Sequence, residues 1–91
     1  MLESASELPM GNSSCFSEKV RTAADLGRVV REQRRASGLR QIDLAGIGNT
    51  GNRLIVDIEK GKPTVQLQKV LDLLDLLGLE LVVRQKTGGA L

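Results

Sequence analysis

Histidine is absent from the sequence, and cysteine occurs once, at Cys15 in a serine-rich stretch. Without an imidazole there is nothing of the usual kind to activate a serine or cysteine nucleophile. One cysteine with no histidine makes neither a zinc site nor an intrachain disulfide. The chain is therefore expected to be no enzyme and to use no metal or cofactor. The missing cysteine framework fits a reducing, cytoplasmic setting. Tryptophan and tyrosine are missing too, and Phe16 is the lone aromatic, so the interior has to be built from Leu, Val and Ile. No apolar run is long enough to span a bilayer, and no basic segment followed by an apolar run opens the chain. Neither a membrane nor a secretory signal is expected.

What is present suits one small domain: 91 residues, 41% of them hydrophobic. Chains this short bury a modest fraction of their surface, and pairing of two copies is a natural way to bury more. Net charge is only +2, but it is unevenly spread. Residues 1–18 carry three acidic groups (Glu3, Glu7, Glu18) and no basic ones, residues 19–62 carry ten basic against five acidic, and residues 63–91 are balanced. A basic patch concentrates polyanions around it, although such patches also serve plain solubility.

Residues 1–18 mix Ser, Gly, Asn and Pro9 without period and read as a disordered arm. Thr22, followed three residues on by Asp25, has the form of a capping box, and Ala23–Ala36 reads as a helix with Leu26, Val29, Val30 and Gln33 on one stripe. Arg28, Arg31 and Arg35 fall on its remaining surface, where a solvated face and a grip on phosphate are both open readings. Ser37 and Gly38 end it.

Next comes the stretch the rest serves, Gln41–Gly61: a short amphipathic piece, a glycine-rich bend and a second amphipathic piece. Ile42, Leu44 and Ala45 are expected to share a buried side. Gly46, Gly48, Asn49 and Gly51 interrupt the pattern with residues that tolerate positive φ. Ile55 and Ile58 then turn inward, Asn52, Arg53, Val56 and Asp57 outward, and Gly61 is placed as a C-cap. Thr64 is expected to cap a helix over Val65–Leu77 whose wide apolar stripe includes Leu67, Val70, Leu71, Leu73, Leu74 and Leu77. Leu76 lies among its polar positions Gln68, Lys69, Asp72 and Asp75. The two aspartates share a face with no nucleophile or metal ligands beside them, which is a solvated face rather than a catalytic pair. Gly78 stops that helix, and Leu79–Arg84 reads as a strand. A lone strand needs a partner, either the weak piece around Lys19–Arg21 or the same strand of a second copy across a two-fold axis.

The residues Gln41, Leu44, Ala45, Ile55, Ile58, Glu59 and Gly61 match, without a gap, the pattern Gln-x-x-Leu-Ala, turn, Ile-x-x-Ile-Glu-x-Gly, so the region resembles the lambda-repressor-like (XRE) helix-turn-helix family. Two departures lie in the turn. Asn49 and Thr50 stand where the family has Gly and an aliphatic residue, with Ile47 expected to restore the lost packing, and Gly51 stands where a capping Ser or Thr is common. The resemblance implies a mainly α bundle of four to five helices with base-reading positions at Asn52, Arg53 and Asp57 and a phosphate contact at Gln41. It also implies a structural salt bridge between Arg34 and Glu59. Asn suits adenine, Arg suits guanine, and Asp accepts from the cytosine amino group. Arg28, Arg31, Arg35, Lys60 and Lys62 are further candidates for DNA phosphates.

Residues 20–85 taken together, with Lys-Gly-Lys-Pro-Thr-Val, the leucine-rich helix and Gly-Leu-Glu-Leu-Val-Val-Arg in succession, look most like HipB-type antitoxins. That implies a helix-turn-helix domain (19–78) and a strand pairing across a homodimer (79–85), between the arm (1–18) and a tail (86–91) that reads as disordered. The dimer interface would comprise Leu73, Leu76, Leu77, Leu79, Leu81 and Val83. The implied partners are a HipA-like serine/threonine kinase toxin and double-stranded DNA bearing an inverted repeat, bound at the nucleoid. A free-standing XRE-type regulator, and an interaction module that has lost DNA binding, are the alternatives.

Overall fold

The structure is a computed structural model, and it describes residues 17–86. Four helices follow one another: α1 (Ala23–Ala36), α2 (Gln41–Ile47), α3 (Asn52–Lys60) and α4 (Leu67–Leu76). The expected arm, apart from its last two residues, and the tail after Lys86 lie outside the described residues.

Helix α1 starts where its capping box says it should. The Thr22 hydroxyl accepts from the Asp25 N–H at 3.0 Å, and the Asp25 carboxylate accepts from the N–H groups of Thr22 and Arg21 at 3.2 and 2.9 Å. These bonds satisfy amides that a helix start leaves without intrahelical partners. They also hold the Asp25 carboxyl below its ordinary value of 3.8, the Arg21 amide contributing most. Helix α2 has half of the same device. The Asp43 carboxylate accepts from the Arg40 N–H at 2.9 Å, while the guanidinium of Arg40, having no acceptor atom, cannot return the bond.

The core is aliphatic throughout: Val30, Leu44, Ala45, Ile55, Ile58, Val70, Leu73, Leu74 and Leu77, with Leu26, Leu39, Leu54, Val65, Leu71 and Leu79 packed around it. Helix α3 lies at its centre and packs on both α1 and α2. The crossing of α1 over α3 is close because residue 27 is glycine. A Cβ there would collide with the Ile58 carbonyl oxygen and stand 2.9 Å from that of Glu59.

Several local expectations are corrected. Ile42 is 59% exposed. It sits about 200° from Leu44 around the helix, so α2 cannot bury both together with Ala45. Ile47 is exposed as well; the space beside the turn is approached instead by Leu76, whose Cδ1 would be 3.3 Å from a Cβ on Gly48. The last helix begins at Leu67 rather than Val65, because Pro63–Val65 form a turn and Gln66 supplies the extended N-cap without a side-chain bond. Leu67, expected on the buried stripe, points to solvent.

Leu73 and Leu77, expected between copies, belong to the chain's own core, and Leu79 packs on it with its N–H bonded to the Leu74 carbonyl at 2.8 Å. Beyond Leu79 the chain is exposed, and among the described residues there is no strand, at Lys19–Arg21 or at Leu79–Arg84. A strand is a property of a pair, and one chain supplies no ladder partner here.

Candidate nucleic-acid interface

Between α2 and α3 the chain reverses over four residues. Of the four turn formers, only Asn49 has positive φ, at 55°, while Gly48 is right-handed and Gly51 extended. Asn is among the few side chains that tolerate this conformation, so the residue replacing the family's glycine does that glycine's work. The turn closes through the Thr50 N–H on the Ala45 carbonyl at 2.9 Å. Gly51 caps α3 with no side-chain bond, so the first amides of α3 gain no hydroxyl partner from it. At the other end Gly61 takes φ 84°, and the Lys62 N–H bonds the Asp57 carbonyl at 3.0 Å. This is the left-handed termination glycine permits.

The two ends of α3 are tied down differently. Near the C-terminal end, the Arg34 guanidinium grips the Glu59 carboxylate with Nε to Oε2 at 2.6 Å and Nη2 to Oε1 at 3.0 Å. Its Nη1 donates to the Leu39 carbonyl at 2.7 Å. The paired side chains are only 8% and 4% exposed. Gln41 Nε2 donates to the same Glu59 carboxylate at 3.1 Å. Gln41, expected on phosphate, thus gives one amide N–H to the protein itself and also lines a cleft on the surface. One buried cluster fastens the end of α1, the α1–α2 link and the end of α3 together.

At the N-terminal end, Asn52 and Arg53 are exposed on the first turn, the Arg53 side chain to 81%. Asp57, one turn further on, is 15% exposed and lies between Arg53 Nε at 3.1 Å and Lys62 Nζ at 3.6 Å. The acceptor expected to meet a cytosine is thus already occupied by two cations of its own chain.

Along the C-terminal half of α3 opens a cleft of about 410 Å³ lined by Arg31, Arg34, Arg35, Arg40, Gln41, Val56, Glu59 and Lys60. Glu59, its one carboxylate, is taken up by Arg34. Arg31, Arg35 and Lys60 form no ion pair among the described residues. Arg40, to which the sequence pattern assigns no role, brings a fifth cation to the wall. Its guanidinium lies 3.0 Å from Asp43 and holds that carboxyl below its usual range, chiefly by hydrogen bonding, while remaining 78% exposed. Arg28 does not line the cleft and faces Glu18 and Glu32 at 3.9 and 3.7 Å. The expected phosphate set therefore divides: Arg31, Arg35 and Lys60 gather with Gln41 and Arg40, Lys62 sits with Asp57, and Arg28 stands apart. A concave wall of cations with one neutralised acid attracts a polyanion and is screened by salt over about 10 Å.

The geometry agrees with what comparison finds. Residues 25–86 match the family model described as a helix-turn-helix domain. A protein of Sinorhizobium fredii (strain NBRC 101917 / NGR234), called "Uncharacterized HTH-type transcriptional regulator y4mF", is 48% identical over 63 residues, covering 69% of this chain and 83% of its own. Among solved structures, one called "MDT Protein" superposes with a TM-score of 0.69 at 19% identity, over 76% of this chain and 97% of that one, a likeness of fold. With the family model reaching from the first turn of α1 to the end of the described residues, this chain belongs to the helix-turn-helix domain family, of the lambda-repressor-like kind that its turn and α3 resemble.

Proposed function

We propose that the protein is a sequence-specific DNA-binding transcriptional repressor. In this reading it is the homodimeric antitoxin of a HipA/HipB-like operon, repressing that operon at palindromic operators and holding a HipA-like kinase toxin. The observation that carries the DNA-binding reading is that α3 exposes Asn52 and Arg53 on its first turn and lines a cationic cleft with its C-terminal half. A helix of this kind enters the major groove N-terminal end first, with Asn52 suited to adenine and Arg53 to guanine O6 and N7. Arg31, Arg35, Arg40 and Lys60 then meet the phosphates alongside. The DNA-bound protein works in the cytoplasm, at the nucleoid, and no helix of the described residues is long and apolar enough to cross a membrane.

Homodimerisation is supported by the exposed apolar residues at the end of α4 and beyond it. Leu76, Leu81, Val82 and Val83 are 48%, 50%, 66% and 91% exposed on the single chain. Pairing the 79–84 segments of two copies supplies the missing ladder and sets their apolar side chains against one another across the two-fold axis. Two reading helices about 34 Å apart then face successive major grooves. The printed name of the S. fredii relative mentions regulation alone, which favours a second reading, a free-standing regulator without a toxin.

The test is a gel shift on duplex DNA from upstream of the protein's own gene, titrated with salt. Four phosphates neutralised per copy give a slope of log K against log[salt] of about −7 for a dimer. Specific retardation with a steep slope is the expected result. No retardation beyond that of unrelated DNA leaves the interaction-module reading. A kinase-like reading frame adjoining the gene, whose product co-purifies with the protein, separates antitoxin from free-standing regulator.

A further inference from the structure

The geometry points to Asp57 as a positioning residue for Arg53 rather than a reader of bases: it steers the guanidinium of Arg53 toward guanine and makes no base contact of its own. This rests on the reading of α3 as the base-reading helix.

Three observations carry it. First, both Asp57 oxygens are engaged, Oδ1 by Arg53 Nε at 3.1 Å and Oδ2 by Lys62 Nζ at 3.6 Å. Lys62 is itself held to the same residue by its N–H on the Asp57 carbonyl, so the cation is brought there by the backbone of the helix end. Second, the carboxylate is recessed and the guanidinium is not, at 15% against 81% exposure. A base edge arriving from solvent meets Arg53 first. Third, the contact with Arg53 is made at Nε, and a guanidinium has five N–H donors, so one such contact does not exhaust the donors that match guanine O6 and N7.

Electrostatics agree. A bare carboxylate facing a phosphate-lined groove is repelled, whereas one flanked by two cations is offset and the cluster keeps a net positive charge. An ordinary surface pair is a poorer account. The basic residue precedes the acidic one here, the less favourable order for an i,i+4 pair in a helix, so helix stability gives little reason for it.

Selection from a random duplex library with the wild-type protein gives the preferred site. Binding of single-base variants of that site is then measured by fluorescence anisotropy for wild type, Arg53→Ala, Asp57→Asn, Asp57→Ala and the Arg53→Ala/Asp57→Ala double variant, each checked for its melting transition. Asp57→Asn is nearly isosteric and guards against misfolding of the alanine variant. The expected result is that both Asp57 variants lower discrimination at the base pair that Arg53→Ala affects, by about five- to tenfold. The double variant should lose no more than Arg53→Ala alone. Affinity for unrelated DNA should rise in Asp57→Asn, since a negative charge has gone, so the loss is confined to discrimination.

A change of preference at a different base pair, multiplying with the Arg53 effect, makes Asp57 a direct reader and overturns the inference. Unaltered discrimination in Asp57→Ala reduces the pair to a surface contact and overturns it equally. A wild-type protein that enriches no sequence removes the DNA reading itself, and this inference with it.

Discussion

Arg34 and Glu59 meet in a two-pronged ion pair almost out of solvent, 2.6 and 3.0 Å between nitrogen and oxygen, joining the last turn of α1 to the last turn of α3. Removing one partner strands the other as a buried charge, which typically costs about 3–5 kcal/mol. Glu59→Ala is therefore expected to lower the melting temperature by more than about 12 °C. Exchanging both residues, Arg34→Met with Glu59→Leu, should recover more than half of the loss, because no charge is left behind. Calorimetry of the wild type and the two variants checks this; a Glu59→Ala protein that melts like the wild type contradicts the pairing.

Two glycines inside helices should respond in opposite directions to the same change. At Gly27 an added methyl meets the α3 carbonyls of Ile58 and Glu59, while at Gly46 it meets nothing within 4 Å. Gly27→Ala is expected to destabilise by about 1–3 kcal/mol through overpacking. Gly46→Ala should stabilise by about 0.5–1 kcal/mol through the better helix propensity of alanine. Urea denaturation with both variants side by side settles the signs.

Gly51 has extended backbone that any residue adopts, open space around its Cα and no capping side chain. Gly51→Ser should supply the missing acceptor for the first amides of α3, at a gain of a few tenths of a kcal/mol, roughly 1–2 °C in melting temperature. The hydroxyl is also a donor at the rim of the proposed DNA face. Tighter operator binding in the gel shift is expected, and weaker binding would place the groove elsewhere.

Acid should act through the helix caps. Asp25 is held below its ordinary 3.8 by the Arg21 and Thr22 amides, and Asp43 by Arg40. A carboxyl depressed in the folded state contributes stability that is present above its unfolded value and lost as pH falls through the folded one. From these two groups the melting temperature is expected to be steady from pH 7 to about 4 and to decline below it. In Asp25→Asn/Asp43→Asn the decline should be shallower, and the deficit relative to wild type should shrink toward pH 2.

The sequence carried α1 in full, because Thr22 and Asp25 mark its start and Ser37-Gly38 its end with a clear stripe between. It carried α3 through Ile55, Ile58 and the left-handed Gly61. What was not legible depends on packing beyond one element. Helix α2 spans two turns, too few for periodicity to say that Ile42 faces outward. Helix α4 and its end carry leucine at 67, 71, 73, 74, 76 and 77; the pattern set Leu76 apart among polar positions, and it is exposed, but it could not say that Leu73 and Leu77 are buried by the chain's own core rather than by a second copy. In the site, Asn52 and Arg53, which the family resemblance proposes as base readers, are exposed on the first turn of α3. Asp57 and Gln41 do not stand free, because their partners Lys62 and Glu59 come from a helix end that pattern alone does not fold back. Arg40 has the look of a linker residue in the sequence, and its position before the first turn of α2 was the available signal.

Leu79 is the last side chain that the fold holds, pinned by its amide to Leu74. The chain therefore leaves the domain from a fixed point and on a fixed bearing relative to α3. In any pair joined through the C-terminal segment, the phasing of one copy against the other is set by the few residues after Leu79. Insertions or deletions there would retune which half-sites the pair can span, while each copy kept its own fold and its own preference for sequence.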